Sequence, residues 1–251
     1  MNSIRNVAIT LMFLLFPCPF VRAEEQAGQL PEDGWWIRYF TTSKLESISG
    51  NVREYTIKAT YSLVGTVVEN GEKCRWVEVN SIFTRDGKDG LILSKFLISE
   101  KDLLESEEPL DTIKRGWFKS GNNDVRAVEA GKGITRYNTR TVIFPGLWHK
   151  AEQIDKEQIV DYQQGKFTIL EAKTRQVTSP TTVVKTGRKV INQKDVVEYT
   201  GWFHRTTSPF IAAAKIQTKI YYDDQWNTTF NDDVVLQDYG KGAKSSLPEN
   251  N

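Results

Sequence analysis

Residues 54–79, EYTIKATYSLVGTVVENGEKCRWVEV, decide the fold class. Tyr55, Ile57, Ala59, Tyr61 and Leu63 alternate with Glu54, Thr56, Lys58, Thr60 and Ser62. Successive side chains of an extended chain point to opposite faces, so a period of two predicts a strand with one face on a core and the other toward water. Asn70-Gly71 then divides two apolar runs, and that pair favours the positive φ angles of a type I′ turn, giving a hairpin. RDGKDG, residues 85–90, supplies a second turn before LILSKFLI. At least three strands therefore follow one another as an antiparallel meander.

The same pattern continues outward from this hairpin. ITRYNTRTVIF, KFTILEAKTRQV, GRKVINQKDVVEYTGWF, AAAKIQTKIYY and DDVVLQDYG all have strand character, and a weak helix is expected near 150–160. In AKIQTKIY, Ala214, Ile216, Thr218 and Ile220 alternate with Lys215, Gln217, Lys219 and Tyr221. Helical signal is confined to the middle. Ser99 and Asp102 have capping-box spacing, Pro109 suits a first helical turn, Leu110, Ile113 and Trp117 recur at three and four residues, and Gly121 stands where a C-terminal cap would. Two short amphipathic helices, about 100–106 and 109–119, are predicted, with one apolar stripe toward the sheet. Because strands do not alternate with helices, a doubly wound parallel sheet is excluded. The fold class expected is mainly β (α+β): a single curved antiparallel sheet or half-barrel with a helical insertion, near 99–120, packed on its concave face. One β domain is expected over 33–242, with flexible segments at 24–32 and 243–251.

Residues 1–23, MNSIRNVAITLMFLLFPCPFVRA, have an early Arg5, an apolar run from Val7 to Phe16 and small residues before Glu24-Glu25. This is the pattern of a secretory signal peptide cleaved after Ala23. Its apolar run is too short to span a bilayer as a helix, and no later segment is longer, so a periplasmic or extracellular product without a transmembrane segment is expected. LFPC loosely resembles a lipoprotein cleavage box at Cys18, but the prolines on both sides of that cysteine argue against lipidation. Loss of the leader removes Arg5 and Arg22, taking 33 basic residues to 31 against 32 acidic ones, a net charge of −1. A nearly neutral chain lacks the basic surface that nucleic-acid binding requires. Cys74 is the one cysteine beyond the leader, so no intramolecular disulfide can form, and a buried, reduced thiol is expected.

Candidate catalytic groups are few. The two histidines, His149 in FPGLWHK and His204 in GWFHRTTSP, lie in no hydrolase signature, GxSxG is absent, and the zinc spacings C-x-x-C and H-E-x-x-H are missing. Asp223-Asp224 and Asp232-Asp233 are each adjacent in sequence, so on a strand their carboxylates would face opposite ways rather than across a glycosidic bond. Both pairs read as turns. No enzyme activity, metal or cofactor is expected. Seven tryptophans are the unusual feature. In DGWWIRYF, Trp35 and Trp36 are neighbours, so one faces the core and the other outward, where it can stack on a sugar, line an apolar site or cover a helix.

This order of elements, a meander, a central helical insertion and further strands behind a leader, resembles the LolA/LolB-type half-barrel over residues 33–246. SPFIAAAKIQTKIYY and DYGKGAKSSLPE are also similar to an uncharacterised group of exported bacterial proteins of that architecture. The resemblance implies a concave face that holds an acyl chain, with an apolar ligand or a lipoprotein as partner. Helical spacing selects Leu104, Leu110, Ile113 and Trp117 as residues facing that site, and Trp36 joins them as the outward tryptophan. The competing readings are a surface carbohydrate- or protein-binding module and an unrecognised hydrolase.

Overall fold

A computed structural model describes residues 29–107, 109–128, 143–178, 181–186 and 189–247. The leader, Cys18 and residues 134–142 of the expected strand ITRYNTRTVIF lie outside the described residues. Within them, twelve strands form one antiparallel sheet in the order β6-β5-β4-β3-β2-β1-β12-β11-β10-β8-β7, with β9 on β10. The strands are β1 (Trp36–Ser47), β2 (Val52–Glu69), β3 (Glu72–Arg85), β4 (Lys88–Ser99), β5 (Arg115–Ser120), β6 (Arg126–Val128), β7 (Glu152–Tyr162), β8 (Gly165–Thr178), β9 (Thr182–Thr186), β10 (Lys189–Phe203), β11 (Ile211–Tyr222) and β12 (Gln225–Gly240).

The hairpin turns are set by local chemistry. Asn70 (φ 52°) and Gly71 (φ 81°) make the expected turn, as do Asp86 (φ 52°) and Gly87 (φ 72°). Asp223 (φ 49°) and Asp224 (φ 64°) turn β11 into β12, as read from sequence. Asp232-Asp233 does not turn. It lies inside β12, where neighbouring strands hold it extended: Asp232 is buried and accepts a hydrogen bond from Ser43 Oγ, while Asp233 faces water beside Lys215 (3.6 Å).

The sheet is curved but not closed. The β7–β8 hairpin folds back on the middle of the sheet, where Gln163 N donates to Gln237 O of β12 (2.7 Å) and Tyr162 stacks on Tyr239 (5.9 Å between centroids). The concave face carries much of the main core, with Ile37, Tyr39, Tyr61, Val79, Phe96 and Leu236 among its residues, while Trp202 points to the other face of β10, where its indole N–H donates to Lys156 O (2.9 Å).

The helical insertion is smaller than expected. One α-helix, α1 (Glu100–Glu105), starts at Ser99, whose Oγ accepts from Asp102 N. The predicted helix 109–119 is instead a 3-10 turn, Pro109–Thr112, followed by strand β5. The reason is the open edge of β4, a more extensive set of partners than a short helix could offer. Lys114 N donates to Leu97 O (2.9 Å) and Arg115 to Ser120 pair with Leu97 to Ile92. Gly116 permits the approach, since a Cβ there would lie 2.6 Å from Lys95 O. The weak helix near 150–160 is also corrected to strand: β7 bulges between Asp155 and Gln158, which throws Ile154 and Ile159 out of the period-two phase.

Candidate functional site

The two faces of the sheet differ, and each holds part of the predicted site. On the concave side the interior is filled by the chain itself. Pro145–Trp148 forms a 3-10 turn under α1, and Ile143, Phe144, Leu147 and Trp148 are all buried. Gly146 fits under α1 because it lacks a side chain: a Cβ would sit 2.2 Å from Ser106 O. Arg175 of β8 fastens this lid, donating to Leu147 O (2.6 Å) and to the Glu107 carboxylate, which Lys150 also reaches (2.8 Å). Hydrogen bonds from Lys150 and Arg175 hold the Glu107 carboxyl below its ordinary range. What remains between Trp35, Leu63, Val77, Leu103, Phe144 and Phe210 is a crevice of about 10 Å³, room for a single water.

None of the five predicted site residues lines that crevice. Ile113 is buried in the main core and Leu110 packs against it. Leu104 is half-buried, while its neighbour Leu103 takes the core position, because a helix of six residues is set by its dock against Pro145–Trp148 rather than by a long apolar stripe. Trp117 and Trp36 lie on the other face. Strand geometry, unlike the helix predicted there, puts Trp117 opposite to the core.

The convex face has an order that the sequence did not suggest. Gly240, Trp36, Ser62, Glu78, Lys95 and Trp117 are successive cross-strand partners from β12 to β5, one row straight across the sheet. At one end Trp36 is half-buried over Gly240 with the Arg38 guanidinium 5.2 Å from its ring. At the other, Trp117 meets Trp76 (5.1 Å between centroids) over a small apolar cluster of Cys74, Trp76 and Leu97. Lys95 is fully buried, with Nζ 5.1 Å from the centre of Trp76 and 6.0 Å from that of Trp117. Cationic charge is favoured over an indole face, which offsets part of its lost hydration.

Residues 243–247, within the segment expected to be a flexible tail, run onto this row. Glu78 accepts hydrogen bonds from Ser245 Oγ (2.8 Å), Ser246 N (3.0 Å), Ser246 Oγ and Leu247 N (3.3 Å). Lys95 Nζ donates to Ser245 Oγ (2.8 Å) and Leu247 O (3.3 Å). Lone Glu and Lys on alternating strand positions read locally as a solvated face, so only their cross-strand pairing could have drawn attention to them.

The groups with conventional chemistry are dispersed. His149 is exposed after the buried turn. His204 Nδ1 lies 2.8 Å from Thr206 Oγ1 within one tight turn, and burial together with Arg205 lowers its pKa. Among the described residues no group of three or more His, Cys, Asp or Glu is placed to hold a metal, and no helix is long and apolar enough to cross a membrane.

No protein-family model matches the chain, and no curated protein matches it. Solved structures match the chain only weakly. One is a candidate exported protein with a YmcC-like fold from Bacteroides fragilis, 10% identical, with 86% of this chain and 100% of that chain covered and a TM-score of 0.23. Another is a candidate lipoprotein from Parabacteroides distasonis, 9% identical, with 86% and 99% covered and a TM-score of 0.17. At these TM-scores the likeness fixes neither family nor function.

Proposed function

We propose that the mature chain is an exported, non-catalytic binding protein that engages a protein partner through its convex face. The observation that carries this reading is the cross-strand row from Trp36 to Trp117 with a buried Glu78 and Lys95 at its centre. Buried charges contribute little net stability compared with apolar residues, whereas neighbouring charged groups of opposite sign between aromatic walls supply the directional contacts that recognition uses. The concave side offers a filled lid and a crevice of about 10 Å³.

A photo-crosslinking amino acid placed at position 36, in the full-length chain made in its own host, is expected to give a discrete protein adduct. The same group at position 55 on the concave side is expected to give none. Absence of any adduct from position 36 overturns the reading.

The carrier of an apolar or acylated ligand is the second reading, favoured by the apolar walls of the crevice. It requires the buried Ile143–Trp148 segment to leave the concave face. Extraction of lipid at about one molecule per chain, with saturable binding of a fluorescent fatty acid, would establish it in place of the outer-face reading.

A further inference from the structure

The row between Trp36 and Trp117 is occupied by the chain's own residues 243–247. After Gly240 the backbone turns through Gly242, whose φ of +98° suits glycine, and Ala243 N donates to Gly34 O (2.9 Å). Lys241 meets Glu32 (3.1 Å) on the way. The next residues land on β3 and β4 without joining a β-ladder. Two charged side chains hold them: Glu78 gathers successive backbone N–H groups and hydroxyls, and Lys95 takes a hydroxyl and a carbonyl. Leu247 is buried beyond them. A carboxylate for donors and an ammonium for acceptors, with a buried leucine beyond them, together make a chemistry for reading an extended peptide.

The contacts also suit exchange. If residues 243–247 lift, Glu78 and Lys95 are left on an outer face where water can replace every lost hydrogen bond. Release of Ile143–Trp148 would instead expose four large apolar side chains. The tail is therefore the less costly of the two segments to open.

We propose that this groove is a recognition site for an extended Ser-Ser-Leu segment, filled in cis by residues 245–247 and, when the cis tail is away, by the same segment of a second copy of the chain. This rests on the outer-face reading above and names its partner. A short tether gives the cis tail an effective concentration of order millimolar, so a segment in trans competes only once the cis contacts are weakened.

The test uses the full-length chain and a fluorescent peptide of residues 241–247, KGAKSSL, followed by anisotropy. A chain carrying Ser246→Ala and Leu247→Ala, which loosens the tail and leaves the groove intact, is expected to bind the peptide roughly tenfold more tightly than the unaltered chain. Adding Glu78→Gln is expected to abolish that gain. Because Glu78 is buried and the triple variant could unfold, the peptide KGAKAAL provides the same comparison on the loosened double variant itself, and weaker binding by roughly tenfold is expected. Equal binding of the two peptides, or none to the loosened chain, overturns the site. Deleting Gly242 and Ala243 shortens the tether so that the tail reaches a second copy rather than its own groove, and a dimer is expected in sedimentation velocity. A monomer overturns the second-copy occupant. Peptide binding without any protein adduct from position 36 leaves a self-recognition groove and discards the outer-face function. An adduct without peptide binding does the reverse.

Discussion

The indole of Trp148 lies directly over Gly201: a Cβ on that glycine would meet Trp148 Cη2 at 2.5 Å. The lid segment is thus seated on β10 by a missing side chain, and Trp148 makes T-shaped contacts with Tyr199 and Phe203. Gly201→Ala is expected to lower stability by about 1–3 kcal/mol through overpacking, measured by urea denaturation. An unchanged midpoint would show that the lid does not rest there.

Ile113 and Trp117, four residues apart, serve opposite faces of the sheet. Ile113→Ala removes a fully covered core side chain and is expected to cost about 2–4 kcal/mol. Trp117→Ala leaves the concave core untouched, so its smaller loss should be accompanied by easier opening of residues 243–247 in hydrogen exchange. Equal protection of the tail in both proteins would contradict the convex placement of Trp117.

Tyr39 is buried and its hydroxyl donates to Ile211 O (2.7 Å). Burial, with a smaller contribution from Tyr61, raises its pKa well above the ordinary value. Tyr39→Phe leaves the carbonyl unpaired and is expected to cost about 1–2 kcal/mol. In an ultraviolet alkaline titration of the native chain, one fewer late-ionising phenol should be counted for the variant.

Glu107 carries a pH dependence whose sign follows from its lowered pKa. Lys150 and then Arg175 favour its charged form in the folded chain. Its contribution is present above the unfolded carboxyl pKa, about 4.3, and is lost as pH falls through the lower folded value. Glu107→Gln should flatten this part of the acid limb when stability is measured against pH. An identical acid limb in both proteins would mean that the Arg175–Glu107–Lys150 contact adds nothing in solution.

Cys74 is buried, its thiol within 3.6 Å of Glu72 O, and burial pushes its pKa up. A disulfide exchange reagent should label it slowly in the native chain and at the rate of a free thiol in denaturant. Rapid native labelling would show that the Cys74–Trp76–Leu97 cluster opens readily.

Sequence alone determined whatever depends on neighbours in the chain. Alternation in residues 54–63 specified a strand with one buried face, and Asn70-Gly71, Asp86-Gly87 and Asp223-Asp224 specified turns because their backbone angles are a local property. It also separated Trp35 from Trp36, since adjacent strand residues must point apart. Tertiary structure decided the rest. Residues 114–120 became strand because the edge of β4 offered hydrogen bonds that no local spacing reveals, and the bulge in β7 hid its period. Asp232 was held extended by β1 and β11. The row that joins Trp36 to Trp117 through Glu78 and Lys95 exists only after five strands are in register, and its cover comes from residues 245–247, more than 100 positions away from Glu78 and Lys95. Propensity and turn chemistry act within a few residues, whereas burial of a charge depends on which distant segment comes to lie over it.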